Sequence, residues 1–132
     1  MDKNQQIIKN ELREESLIVL CILYGSAAAG RLTHHSDIDI AIAGNDLLDF
    51  EYLADLQVRL SISLGCEVDL VDINRAEGLI LPRIIKNGIV LIKKDVTLYA
   101  DLIRKAIYFD ADILPNIRMI LKHRAERFAD GH

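Results

Sequence analysis

The sequence predicts an α/β (α+β) chain: one small sheet of about four strands covered by helices. Three observations predict it. Short apolar runs of strand length recur along the chain, each bounded by turn-forming or charged residues. The stretch "DIDIAIA" (37–43) alternates strictly. Segments of helical periodicity separate these runs, giving the order helix, strand, loop, strand, helix, strand, helix, strand, helices.

From Asp2 to Glu15, Ile7, Ile8 and Leu12 recur at helical spacing among polar residues, which predicts an amphipathic helix. Leu17 to Tyr24 is short, continuous and partly β-branched, the pattern of a buried strand, and it stops at Gly25. Asp37 to Ala43 is the second strand. A long helix is expected next, capped by Asn45 or Asp46, with Leu53, Leu56, Leu60 and Leu64 on one face and Gly65 closing it. Cys66 to Ile73 reads as a third strand. Pro82 is expected to start a helical turn, since proline fits a first turn better than a helix interior. Gly88 leads into a fourth strand, "IVLI", ended by Lys93 and Lys94. Val96 to Phe128 is helical in pattern, with a break expected near Leu114-Pro115.

At 132 residues the chain has the length of one domain. Its expected parts are an N-terminal helix (1–16), a core (17–92) and C-terminal helices (96–129). Sixteen Lys and Arg against twenty Asp and Glu give a formal charge of −4, which argues against non-specific binding to nucleic acid. The longest apolar run, Leu17 to Tyr24, is too short to span a bilayer. The segment before it carries Asp2, Glu11, Glu14 and Glu15, unlike the basic start of a secretory signal, so a cytoplasmic protein is expected. Cys21 and Cys66 have no Cys or His at metal-ligand spacing and read as buried reduced thiols within strands.

The loop "YGSAAAGRLT" (24–33) has the glycine spacing of a P-loop, at Gly25 and Gly30. Arg31 and Leu32 then stand where a P-loop needs Lys and Ser or Thr, and "HHSDIDIA" leaves little room for the following helix. The strand after the loop is more informative. Residues i and i+2 share a face, so Ile38, Ile40 and Ile42 form one side while Asp37, Asp39, Ala41 and Ala43 form the other. Two carboxylates about 7 Å apart can converge on a divalent cation with hard-oxygen preference, but D-x-D alone is a common pattern and more often a solvated strand face. The alanines add some weight to the cation, because a solvated face would more naturally carry Thr, Lys or Glu. In the third strand Val68 and Leu70 point to the core, leaving Glu67, Asp69 and Val71 on the other face. Asp72 has core parity and reads as a cap or loop acid. If the second and third strands are neighbours, Asp69 approaches Asp37 and Asp39, and three carboxylates so close require a cation.

Gly25-Ser26, ten intervening residues, Asp37-Ile38-Asp39 and the later Asp69 together resemble the polymerase-β-like nucleotidyltransferase superfamily. "LYGSAAAGRLTHHSDIDIAIAG" looks like its minimal nucleotidyltransferase branch, the antitoxin of HEPN/MNT toxin–antitoxin pairs. The resemblance spans roughly Leu17 to Ile92. It implies a mixed sheet and a metal site in which Asp37 and Asp39 hold two Mg²⁺ ions and Asp69 helps to hold the one that activates the acceptor. It also implies that Gly25 and Ser26 contact the phosphates of ATP. Further, it implies AMP transfer to a tyrosine of a neighbouring HEPN ribonuclease toxin, which is thereby neutralised. Ala27, Ala28 and Ala29 depart from relatives with a large residue after Gly-Ser. Arg31 suits phosphate contact or a solvated loop, and His34 and His35 read as loop residues. The stripe of Ile117, Ile120, Leu121 and Phe128 is either a packed helix face or a docking surface for the HEPN partner. Two other functions share this core: transfer to a small-molecule hydroxyl, of the aminoglycoside-modifying kind, and neutralisation by binding alone.

Overall fold

A computed structural model describes residues 2–28, 37–76 and 78–110. The elements follow the expected order except that a one-turn helix opens at Gly25, where a loop is expected: α1 (Lys3–Arg13), β1 (Leu20–Tyr24), α2 (Gly25–Ala28), β2 (Ile38–Ala43), α3 (Phe50–Leu64), β3 (Val68–Asp72), α4 (Ile80–Asn87), β4 (Ile89–Lys93) and α5 (Val96–Phe109). A 3-10 turn, Ile73–Arg75, follows β3. The strands form one mixed sheet in the order β3-β2-β1-β4, with β1 antiparallel to both β2 and β4 and β2 parallel to β3.

Both faces of the sheet are covered. The isoleucines of β2 pack with Ile8 and Leu12 of α1 and Leu56 and Leu60 of α3, as the alternation predicts. On the other face Ala41 and Ala43 are fully buried beside Ile84 and Ile85 of α4 and Leu102 and Ala106 of α5. This corrects the reading of the alanines. They are small because helices lie directly over them, and they carry no information about a bound cation.

Proline shapes α4 as expected, although the helix begins two residues earlier, at Ile80. Pro82 sits in the first turn, where a missing N–H costs no helical bond. The start of α3 moves further, from Asn45 or Asp46 to Phe50, with Asp49 at the N-cap. The cause is tertiary. The Leu48 amide donates to Asp72 Oδ2 at 2.8 Å, Arg75 Nη2 donates to the Leu48 carbonyl at 2.6 Å, and Asn74 Nδ2 donates to the Gly44 carbonyl at 2.9 Å. Those backbone groups are committed to side chains and cannot join a helical ladder. Gly65 ends α3 at φ +70°, the left-handed C-cap expected of it.

The third strand is shorter than expected, so Cys66 lies in the turn before β3 and is only half-buried, whereas Cys21 is buried; both thiols are free. Burial pushes the Cys21 thiol up to about 12, so it stays protonated and inert. The fifth helix ends at Phe109. The break near Pro115 and the stripe from Ile117 to Phe128 lie outside the described residues, as do Gly30, Arg31, His34 and His35. No helix among the described residues is long and apolar enough to cross a membrane.

Candidate active site

The site forms where β1 ends and β2 and β3 begin. Because β2 and β3 are parallel neighbours, Asp39 and Asp69 are register partners. Adjacent strands lie about 4.8 Å apart, so these two carboxylates leave the sheet side by side. Asp37 precedes β2 by one residue and is exposed, as is Asp69; Asp39 is half-buried. All three of the acids expected to converge therefore stand at one end of the sheet.

On the inner side, β1 pairs Tyr24 with Asp39, and the chain then turns into α2 at Gly25. Gly25 has φ +70°, a left-handed conformation that costs an L side chain. A Cβ built there would run into the Asp39 carboxylate. Glycine thus satisfies two constraints at once, a backbone one and a contact one. Ser26 is the second residue of this turn, and its side chain lies outside the described atoms.

The electrostatics follow from crowding. Burial raises the Asp39 carboxyl above its ordinary value, and the charges of Asp69 and Asp37 raise it further. Arg83 on α4 acts in the opposite direction on Asp39. The Tyr24 phenol is pushed up to about 12, first by burial and then by Asp39 and Asp69, again with Arg83 opposing. Arg83 and Tyr24 are residues that sequence reasoning missed. Tyr24 ends an apolar strand and looks like core. Arg83 is an exposed position beside the buried stripe of Leu81, Ile84 and Ile85, and nothing in the local pattern says what it faces. It makes no ion pair within 4 Å among the described residues, so its charge acts on Asp39 and Tyr24 from a distance.

Asp72 is set apart from this group. It is buried, accepts from the Leu48 and Asn74 amides at 2.8 and 3.0 Å, and lies 3.5 Å from Arg75 Nε. It is the structural acid that its parity predicts.

Asp37, Asp39 and Asp69 supply only hard oxygen donors, which suits Mg²⁺. Among the described residues no three His, Cys, Asp or Glu side chains close into a ready-made cage. The carboxylates instead make an open acidic face, which fits an ion that keeps water and shares substrate phosphate oxygens. Burial, and after it the repulsion of Asp69 and Asp37, raise Asp39, and a bound cation would offset that penalty.

A glycine turn packed against the strand carboxylate Asp39, with Asp69 in register beside it, is the arrangement expected of a nucleotidyltransferase site. The sequence profile of the polymerase beta nucleotidyltransferase family matches residues 6–97, and the chain belongs to that family. It is 35% identical over 69 residues to the protein adenylyltransferase MntA of Shewanella oneidensis, a match covering 52% of this chain and 50% of that one. The chain spans about half the length of the curated relatives it matches. Among solved structures, a toxin–antitoxin crystal structure with AMP-PNP superposes with a TM-score of 0.67 at 29% identity, covering 96% of this chain and 94% of the other. A second, of a tri-AMPylated Shewanella oneidensis HEPN toxin in complex with its MNT antitoxin, gives a TM-score of 0.58 at 26% identity, covering 95% and 93%.

Proposed function

We propose that this chain is a cytoplasmic, Mg²⁺-dependent protein adenylyltransferase that transfers AMP from ATP to a tyrosine hydroxyl of a cognate HEPN ribonuclease toxin and so neutralises it. The observation that carries this reading is the register of Asp39 with Asp69, beside Asp37 and against the Gly25-Ser26 turn. The AMPylated HEPN toxin in one structural relative and the adenylyltransferase name of the curated relative support the choice of donor and acceptor class.

Asp37 and Asp39 would hold two Mg²⁺ ions, and Asp69 would share one of them. Mg²⁺, when bound, supplies charge neutralisation for the triphosphate and the carboxylates. The Gly25-Ser26 turn offers backbone N–H groups, and the Ser26 hydroxyl, to the terminal phosphates. The tyrosine oxygen attacks the α-phosphorus, the bond from that phosphorus to the β-phosphate oxygen breaks, and pyrophosphate leaves. The phenolic proton passes to an Asp69 carboxylate oxygen and from there to water. Arg83 balances part of the negative charge that the cluster and the substrate bring together.

Incubation with Mg²⁺, ATP and the HEPN-domain partner, followed by intact-mass measurement, tests this. The expected result is a gain in steps of one AMP on a partner tyrosine, absent with Asp37→Asn/Asp39→Asn. A partner that is inhibited without any gain in mass would replace the enzymatic reading with neutralisation by binding.

A further inference from the structure

Among the described residues the sheet ends at β3, and a furrow runs along this edge between β3 and α3. The Ile38 amide donates to the Glu67 carbonyl at 3.0 Å. In a parallel ladder this turns the main-chain groups of Asp69 and Val71 towards β2 and those of Val68 and Leu70 outwards. The outward Leu70 amide donates to Oε1 of Gln57 on α3 at 3.3 Å. Gln57 thereby reaches from α3 to β3 and lines both parts of the furrow, one on either side of it.

The first half, about 340 Å³, is polar and opens onto the catalytic carboxylates; Asp37, Asp69, Glu67, Gln57 and Ser61 line it. The second, about 520 Å³, is lined chiefly by Phe50, Leu53, Ala54, Leu70, Val71 and Ile80. The Arg75 guanidinium lies 4.5 Å from the centre of the Phe50 ring and is itself tied to the Leu48 carbonyl and Asp72. Phe50 stacks with this arginine while 71% exposed. An exposed aromatic is well suited to contact, since much apolar area leaves water on binding.

We propose that this furrow receives the acceptor polypeptide, with the hydroxyl-bearing side chain in the polar half beside Asp69 and an apolar side chain of the same segment in the half beneath Phe50. The inference rests on the adenylyl-transfer reading. Displacement in line requires the acceptor to approach opposite the departing pyrophosphate. The phosphate turn at Gly25 lies at the end of β1, two strands away from β3, so the acceptor side is the β3 edge. The furrow is also continuous with the carboxylates and changes from polar to apolar along its length, which matches a peptide better than a compact polar molecule. Asp69 to Asp72 spans about 10 Å at the rise of a strand, so an extended acceptor would carry its apolar anchor about three residues from the hydroxyl.

The test measures AMP transfer to the cognate HEPN-domain protein as its concentration is varied, with Ala54→Glu and Phe50→Asp, and with Ile62→Glu as a control elsewhere on α3. All three positions are exposed, so the fold is expected to tolerate them. The furrow variants should raise KM for the protein acceptor by about tenfold or more, the loss of one good anchor, and leave KM for ATP unchanged. Ile62→Glu should change neither. Folded furrow variants with an unchanged acceptor KM overturn the inference, and Ala54→Glu alone decides if Phe50→Asp fails to fold. Calorimetric titration of the wild type with Mg²⁺ and ATP separates the two readings. A protein that binds ATP but modifies only a small hydroxyl compound overturns the furrow and keeps the enzyme. No binding of ATP overturns both.

Discussion

Gly25 and Asp39 stand so close that no side chain fits between them: a Cβ at Gly25 would lie 3.2 Å from Asp39 Cγ and overlap one carboxylate oxygen. The sharp turn at the end of β1 and the central acid of β2 are thus a single unit. Gly25→Ala must strain the backbone at φ +70°, by about 1–2 kcal/mol, and must also displace the carboxylate. Displacements near 1 Å in a catalytic group can cost about 100-fold in rate. We expect a lower denaturation midpoint together with a loss of AMP transfer of about that size. A Gly25→Ala variant with wild-type turnover would show that Asp39 need not occupy this position.

The crowding of Asp39 predicts a pH effect whose sign is unusual for an acid. Its folded carboxyl lies above the unfolded value, first through burial and then through Asp69 and Asp37. Between the two values the folded state keeps a proton that the unfolded chain has lost. Stability therefore falls as pH rises through that window, and the penalty is absent below the ordinary aspartate range. Without divalent cations, Asp39→Asn should melt above the wild type at pH 7, with the gap closing by about pH 4. Equal melting at pH 7 would contradict it. Arg83→Met should raise the Asp39 carboxyl further, as followed by NMR titration.

A cation should reverse that order. Ligands that bind only the folded state raise its stability, by about 2.7 kcal/mol at 100 times Kd. Mg²⁺ should raise the melting temperature of the wild type and leave Asp37→Asn/Asp39→Asn unmoved. No shift in the wild type at millimolar Mg²⁺, with or without ATP, would exclude these carboxylates as a metal site.

Asp69 and Asp72 are three residues apart and should separate cleanly. Asp72→Ala strands the buried Leu48 amide and frees Arg75, a loss of about 1–3 kcal/mol for each buried partner left unsatisfied. Its denaturant midpoint should drop while the folded fraction still binds ATP. Asp69→Asn, at an exposed position, should keep its midpoint and lose transfer by about 100-fold or more. A stable, active Asp69→Asn would move the third carboxylate elsewhere.

Much of the site is local in origin and could be read directly. Alternation in "DIDIAIA" puts Asp37 and Asp39 on one face, and the core parity of Val68 and Leu70 puts Asp69 on the corresponding face of β3. Gly25 follows from the abrupt end of an apolar strand. The missed features are all products of packing. Ala41 and Ala43 lie beneath α4 and α5, and no period-two pattern distinguishes an open face from one covered by another layer. The late start of α3 depends on bonds from Asp72, Asn74 and Arg75, which are more than twenty residues away.

By itself the sequence determined which residues are acids, which strand face each occupies, and where the chain must turn sharply, because these depend on backbone periodicity and on glycine. The tertiary structure alone decided that β3 lies parallel to β2, bringing Asp69 into register with Asp39, and that the charge of Arg83 reaches Asp39. It also decided that β3 is the edge strand among the described residues, with a furrow beside it. Strand order and helix placement are set by the joint burial of two apolar faces, a property of the assembled layers and not of any one segment.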